Sequence, residues 1–368
     1  MKITAVEAIP VAIPLNHPLK MAVASVSRRD SIIVRMHTDD GLTGLGEAVI
    51  APYFSGETQA GVKAAIDGFL APLLLGSDVH NMQENLVKMD RVLYGNPSAK
   101  SCIDMALYDL LAQSLNVPLY HLLGGKLREH VNSTWAISSE EPEKAADEAM
   151  KGVQQGFKSI KIKVGVASLE KDIQRIQMVR DRIGDHVHLR ADANQAWSPK
   201  LAIQLLKGVE DCHLQFIEQP VSRTDVHGMA LVARNVNTPV APDEGVFNAE
   251  DALRYIQLAA ADGFVMKIMK AGGISGCLKL AAVTRAANLG LHLGGMPGQT
   301  SISAAAEIHL AVSLPGLTWD TGIYPHANRQ DVVTERIKPV DGSYLPPEKP
   351  GLGVELDEDA LNLCRVDL

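Results

Sequence analysis

The sequence predicts an α/β protein: a (β/α)8 barrel preceded by a small α+β capping domain. Two observations carry this. Five short apolar segments each end in a charged side chain, at Lys163, Asp192, Glu218, Asp243 and Lys267, and these follow one another at intervals of 24 to 29 residues. Between them lie stretches with helical spacing of apolar residues, at 169–182, 198–209, 249–260 and 275–289. Strand, helix and strand at a near-constant period build a parallel sheet, and enough repeats close it into a barrel.

The elements follow in order. Residues 2–14 and 30–38 read as strands, and Asp39-Asp40-Gly41 turns the chain into a third, 42–49. Helical spacing at 56–75, 81–93 and 98–115 completes a capping domain over residues 1–125. The barrel, 126–339, opens with a strand near 131–138 and a helix at 142–156. The lysine-rich run 158–165 is its second strand, and strands three to six end at Asp192, Glu218, Asp243 and Lys267. The seventh strand is placed at 291–295 and the eighth at 316–320, with a helix over 300–312 between them. The tail, 340–368, carries a Pro and Gly cluster too irregular for another βα unit, and is expected to fold back on the capping domain.

A net charge of −8 without any Lys/Arg block argues against nucleic-acid and anionic-membrane partners, leaving a small molecule as the expected ligand. Cys102, Cys212, Cys277 and Cys364 are scattered, which indicates neither a disulfide framework nor a zinc site. The N-terminus lacks a long apolar segment, and no run approaches the ~18 residues of a membrane helix, so a cytoplasmic protein is expected.

In a barrel of this kind the C-terminal strand ends carry the chemistry. Lys161 and Lys163, two apart on a strand, share one face. Lys163 and Lys267, on strands two and six, face one another across the mouth. Asp192, Glu218 and Asp243 fill the arc between them, and three carboxylates without histidine or thiolate suit a hard cation, Mg²⁺, with Mn²⁺ able to substitute. A dication between two opposed lysines fits removal of a proton next to a carboxylate, through an enediolate. Either lysine must lose its charge to act as a base, and Lys161 with the cation would lower the pKa of Lys163; Lys161 would also neutralise the substrate carboxylate. Lys270 belongs to the following loop or helix start and is assigned no chemistry. A Schiff-base aldolase and a non-catalytic small-molecule-binding barrel are the readings from other classes, and neither explains the three acids.

These residues resemble the enolase superfamily, and within it the muconate lactonizing enzyme subgroup of the mandelate racemase/muconate lactonizing enzyme family. The resemblance is carried by Lys161-Ile162-Lys163, Asp192-Ala193-Asn194, Ile217-Glu218-Gln219-Pro220, Asp243-Glu244 and Lys267-Ile268-Met269-Lys270, and before the barrel by Asp104 to Asp109 and Leu122-Leu123-Gly124-Gly125. It implies a modified barrel, Asp192, Glu218 and Asp243 as Mg²⁺ ligands, Lys163 and Lys267 as the acid/base pair, and Asn194 near the substrate. Two departures stand out. Pro297 replaces a glutamate that relatives often carry after the seventh strand, which counts against muconate lactonization. Asp320 is a single acid where dipeptide epimerases show an Asp-x-Asp pair. His292 reads as a buried structural histidine.

Substrate choice in the family is set by the eighth strand end and by two capping-domain loops, here about 18–30 and 51–58, where Tyr53 and Phe54 stand out. Trp319 and Asp320 read as a seat for one cationic nitrogen. An amino or imino acid is therefore expected, with a resemblance to proline-derivative enzymes: dehydration of cis-3-hydroxy-L-proline first, 2-epimerization next, then other amino-acid racemization or cycloisomerization. A homo-oligomer is expected.

Overall fold

A computed structural model describes residues 1–368, the side chains of Leu19 and Lys20 excepted. The chain opens with an antiparallel meander of β1 (Ile3–Lys20), β2 (Ser25–Thr38) and β3 (Thr43–Val49). The first two strands run well past the expected 2–14 and 30–38. Beyond an irregularity after Pro14 the hairpin resumes pairing at Leu19 with Val26, so the expected loop 18–30 shrinks to a tip at residues 21–24. This arm is pinned to the far end of the chain: Arg329 N donates to Pro14 O, and Asn16 Nδ2 donates to the carbonyls of His326 and Asn328. The inner face of the meander is covered by the helix Pro97–Ser114, whose buried side chains include Cys102, Ala106 and Leu110.

Beyond two-residue strand β4 (Val131–Asn132) the barrel runs through eight parallel strands: β5 (Thr134–Ile137), β6 (Ser159–Lys163), β7 (His188–Asp192), β8 (Ile217–Glu218), β9 (Val240–Ala241), β10 (Gly263–Met266), β11 (Gly290–Gly294) and β12 (Trp319–Gly322). Two ladders, β5 to β9 and β10 to β12, are joined into a ring. At one seam Val265 N donates to Pro242 O; at the other a parallel bridge links Ser133 to Thr321. Each helix between strands turns an apolar stripe onto the sheet, and several begin at a side-chain cap that satisfies a free amide: Ser168, Ser198, Asp225, Asn248 and Thr300. The helix at Val226–Asn235 is one that hydrophobic spacing alone did not single out. After β12 no helix closes the last unit. The chain forms β13 (Ser343–Tyr344) against β4 and the helix Glu358–Cys364, and Val366 N donates to Pro10 O of β1.

Buried acids from the first 125 residues cap elements of the barrel. Glu47 on β3 accepts from Thr300 N, Thr300 Oγ1, Ser303 N and Ser31 Oγ, closing the amino end of the helix Ser301–Ser313. Asp109 accepts from Leu45 N at 2.8 Å and from Leu352 N at 2.7 Å. Asp104 accepts from Ser275 N at the start of the helix Ile274–Ala286. The Asp104–Asp109 segment thus joins three parts of the chain. The four cysteines are free and buried. No helix among the described residues is long and apolar enough to cross a membrane.

Burial drives the pKa of Asp104 up to about 7, against the opposing pull of the Ser275 hydroxyl and amide. Unfolded, the group titrates near ~3.9. A raised folded value means that its contribution to stability is complete below about pH 4 and is lost as the pH rises through about 7. Asp104→Asn is neutral throughout, so between about pH 5 and about pH 8 the urea midpoint of the parent is expected to fall relative to that of the variant. Parallel midpoints across that range would show that Asp104 is not held as an acid.

Candidate active site

The five charged strand ends converge. Lys163, Asp192 and Glu218 are the last residues of β6, β7 and β8, and Asp243 and Lys267 lie just beyond β9 and β10. All are buried; the lysines keep 7–8% of their surface. Lys163 Nζ donates to Asp192 Oδ2 at 2.5 Å and to Asn194 Oδ1 at 2.9 Å. Lys267 Nζ donates to Asp243 Oδ2 at 2.5 Å and lies 4.5 Å above the centre of the Phe54 ring. Lys161 stands between Asp192 and Glu218, at 3.5 and 3.1 Å. The placement costs backbone strain: Asn194, Gln195 and Gln219 have φ of 41, 70 and 35°. That strain aims Asn194 at Lys163, and lets Gln219 Oε1 hold the amides of Asp243 and Gly245.

Sequence reasoning left out two members of this cluster. Glu244 is buried and accepts from Asn194 Nδ2 at 3.1 Å. Lys270 does lie at a helix start, Ile268–Ala271, as expected, but its ammonium is 1% exposed and donates to Asp243. Both lie within the segments Asp243-Glu244 and Lys267 to Lys270, and an inward turn after the strand is the signal that would have found them.

Four acids and four lysines therefore share one buried volume, and their charges set one another. Burial, then Asp192, pushes Glu218 up to about 7 against the pull of Lys161. Burial and then Asp243 push Glu244 up to about 7. For Asp192 and Asp243 burial acts upward, yet the adjoining ammonium groups outweigh it and hold both carboxyls below their usual range. Lys267 is not depressed as a base would require: burial acts downward, but Asp243 and Glu218 together raise it above its ordinary value. Lys161 is raised in the same way, burial being overcome by Glu218.

The donor set fits a hard cation. It offers carboxylate oxygens with no thiolate or imidazole, and Glu218 Oε1 is buried without any hydrogen-bond partner. The acids are not gathered as a closed coordination cluster among the described residues; ammonium groups hold them apart, Lys161 between two of them. These residues could hold Mg²⁺ once the ammonium groups yield the inward oxygens.

A narrow cavity of about 30 Å³ opens over the cluster. Lys161, Lys163, Asp192, Asn194, Lys267 and Tyr53 line it, whereas Glu218 and Asp243 lie outside its lining. Met21 from the β1–β2 hairpin tip, Phe54, Met296, Pro297 and Tyr324 complete much of the wall. Trp319 and Asp320 do not line it. The Trp319 indole stacks on Phe216 with ring centroids 4.4 Å apart, at the N-terminal end of the barrel; a Cβ on Gly263 or Gly290, the first residues of β10 and β11, would collide with it. Asp320 Oδ1 accepts from Asn132 Nδ2 at 3.2 Å, and its carbonyl receives Arg190 Nη1 and His292 Nδ1. The cationic seat expected of this pair is therefore absent from the mouth. Tyr324, five residues past Trp319, is the aromatic residue that the eighth strand delivers there. His292 is fully buried within the barrel, and burial followed by Arg190 holds its pKa well below the usual value.

A capped barrel with acids and opposed lysines on consecutive strand ends defines a class, the barrel enzymes of the enolase superfamily. Residues 3–124 match the mandelate racemase/muconate lactonizing enzyme N-terminal domain, and residues 144–360 match the enolase C-terminal domain-like model. The chain belongs to the mandelate racemase/muconate lactonizing enzyme family, in the muconate lactonizing enzyme subgroup. It is 37% identical over 356 residues to the L-Ala-D/L-Glu epimerase of Bacillus subtilis, covering 96% of this chain and 97% of the relative. The crystal structure of the N-succinyl Arg/Lys racemase of Bacillus cereus superposes with a TM-score of 0.96 at 33% identity, over 100% of this chain and 99% of that one. A dipeptide epimerase of Enterococcus faecalis, complexed with Mg and the dipeptide L-Leu-L-Tyr, gives a TM-score of 0.92 at 33% identity, over 96% of this chain and 100% of its own.

The wall that carries Tyr53 and Phe54 is the short helix Pro52–Ser55, held down by one side chain of the barrel. Arg223 Nη1 donates to Phe54 O at 2.6 Å and Nη2 to Tyr53 O at 3.0 Å, while its Nε and N share Gln195 Oε1. Two hydrogen bonds from a charged donor are worth about 1.5–3 kcal/mol each at most. Arg223→Ala is expected to speed amide hydrogen exchange in the 51–58 segment by about tenfold or more, each factor of ten being ~1.4 kcal/mol. Unchanged exchange there, measured by mass spectrometry, would mean that the helix holds its place without Arg223.

Proposed function

We propose that this protein is a Mg²⁺-dependent two-base racemase or epimerase acting on a small α-substituted carboxylate. The observation that carries the reading is the opposition of Lys163 and Lys267 across one cavity, each hydrogen-bonded at 2.5 Å to its own carboxylate. Asp192, Glu218 and Asp243 are the residues assigned to the metal. Bound there, Mg²⁺ would supply the positive charge that the acids and the substrate carboxylate demand, relieving the lysines of that duty.

The steps belong to the side chains. Lys161 faces the substrate carboxylate and steadies its negative charge. The lysine on one face, neutral, takes the α-proton; the carbon becomes part of a planar enediolate; the ammonium on the other face returns a proton and inverts the centre. Reaction in the reverse direction exchanges the two roles. Asn194 holds Lys163 on its line, and the Phe54 ring does the same for Lys267. Both partners keep the amines aimed at one carbon, which is where most of the gain from orientation arises. β-Elimination from 3-hydroxyproline would share the first step, but its case rested on Asp320 as the seat of a substrate cation, and that carboxylate is engaged by Asn132. Pro297 offers no acid in the cavity, which counts against cycloisomerization.

Lys163→Ala and Lys267→Ala are expected to abolish racemization while leaving opposite halves of the exchange chemistry: each variant still exchanges the α-proton of the enantiomer that faces its remaining lysine. Proton NMR in deuterated water, run on both enantiomers separately, reads this out, and a Lys267→Ala variant that behaves as the parent toward both would exclude the two-base site. Glu218→Gln is expected to weaken Mg²⁺ binding by about tenfold or more, ~1.4 kcal/mol, with an unchanged circular dichroism spectrum. Titration calorimetry giving equal affinity would remove Glu218 from the metal site.

A further inference from the structure

The strand ends that carry Asp192, Glu218 and Asp243 are joined through one neutral residue, Gln219. It follows Glu218 at the end of β8, is fully buried and holds a φ of 35°. In that strained turn its backbone reaches both neighbouring strand ends. Its N–H donates to Ala241 O on β9 at 3.0 Å, and its carbonyl accepts from Gln195 N, just past Asp192, at 2.8 Å. The side chain then reaches forward. Its Oε1 accepts from Asp243 N at 2.9 Å and from Gly245 N at 3.0 Å, and its Nε2 donates to Val221 O at 2.9 Å. Two N–H groups on one side and a carbonyl on the other leave the side-chain amide a single orientation. A Cβ on Gly245 would lie 2.0 Å from the Tyr255 hydroxyl, so a residue without a side chain brings that amide in to Gln219.

None of these bonds touches a carboxylate. Gln219 brings no charge to the cluster and does not line the cavity. What it fixes is the distance between the backbones from which the three acids project. Groups behind a metal site that orient its ligands change affinity by about 10–100-fold when they are removed. A fixed spacing matters most for a small ion, because Mg²⁺ demands near-octahedral geometry whereas Ca²⁺ accepts longer contacts and variable ligand numbers. We infer that Gln219 is a positioning residue that sets the spacing of Asp192, Glu218 and Asp243, and thereby makes the site selective for Mg²⁺ over Ca²⁺. The inference rests on the reading of these acids as the metal ligands, and it assigns the selectivity to a residue that touches neither metal nor substrate.

The test compares the parent with Gln219→Met, which has similar length and no polar atom, and with Gln219→Glu, which keeps an oxygen before the two amides. Calorimetric titration of the metal-free protein with Mg²⁺, and displacement of that Mg²⁺ by Ca²⁺, give the two dissociation constants. Gln219→Met is expected to raise the Kd for Mg²⁺ by about tenfold or more and that for Ca²⁺ by less than about threefold. Gln219→Glu is expected to hold the ratio of the two constants within about threefold of the parent's, since an added charge acts on both dications alike. A general loosening of the fold lowers the competent fraction and weakens both ions equally, which leaves the ratio where it was. Should Gln219→Met not fold, Gln219→Asn, one methylene too short to span both amides, is read in its place. Equal losses for the two ions, an unchanged Mg²⁺ constant, or a ratio lost as fully in Gln219→Glu as in Gln219→Met would each overturn the assignment. Weaker Mg²⁺ binding in Glu218→Gln beside parental constants in every Gln219 variant would uphold the metal site and remove Gln219 from it. A parent that binds neither ion would overturn the three acids as ligands, and the role of Gln219 with them.

Discussion

Charge neutrality in a buried barrel mouth is the constraint on which the rest of this molecule depends. Asp192, Glu218, Asp243 and Glu244 are each 0–2% exposed, and an isolated carboxylate at such depth would be driven to its neutral form. Lys161, Lys163, Lys267 and Lys270 meet Asp192, Glu218 and Asp243 at hydrogen-bond distance, and their ammonium groups favour the ionised carboxylates, while Glu244 is met by Asn194. The match is incomplete. Glu218 keeps one oxygen without a partner, and both glutamates are pushed up to about 7, mainly by burial. A site under this tension gains from one more compact positive charge, and it gains again from an anionic substrate brought in with it.

Much of the chain outside the barrel serves to keep that mouth in shape. Glu47 and Asp104 are buried acids of the first 125 residues spent on amides of the barrel, and Asp109 on one of the C-terminal segment, so the cap is tied to both by directional bonds as well as by apolar area. Arg29 and Arg223 work from opposite sides of the cavity rim. Arg29 Nε donates to Pro297 O and its Nη1 to Ile50 O, while Arg223 holds the carbonyls of Tyr53 and Phe54. Each arginine bridges a cap segment and a barrel loop, so the apolar wall of the cavity is set by polar bonds behind it. The Phe54 ring over Lys267 shows the result: a residue of the cap determines the surroundings of a lysine on the sixth strand.

The barrel interior below the site is less ordinary than a packed layer of aliphatic residues. Arg190 is fully buried there, 4.9 Å from the Phe216 ring centre, with its guanidinium donating to Asp320 O and Gln215 Oε1. Trp319 closes the bottom. Asp320 sits at that lower level, outside the cavity lining, and its Oδ1 accepts from Asn132.

The sequence by itself determined the fold class, the five charged strand ends and their grouping. The reason is local: a strand alternates faces with a period of two, and a βα repeat near 24 to 29 residues places successive strand ends side by side. Periodicity assigns a face, however, and says nothing of height along the barrel axis. Trp319 pairs with His292, two residues below Gly294, and the register shifts before Gly322, so the eighth strand brings Trp319 to the bottom and Tyr324 to the mouth. That exchange was decided only by tertiary structure. The same holds for Met21, which reaches the cavity because the β1–β2 hairpin extends to Lys20 and is anchored to Asn328, more than 300 residues away in the chain. It holds for Glu244 and Lys270, whose inward turn depends on a backbone held by Gln219 and Asp243. Contacts between segments so distant leave no periodic trace in either segment, and they exist only once the ring of strands has closed.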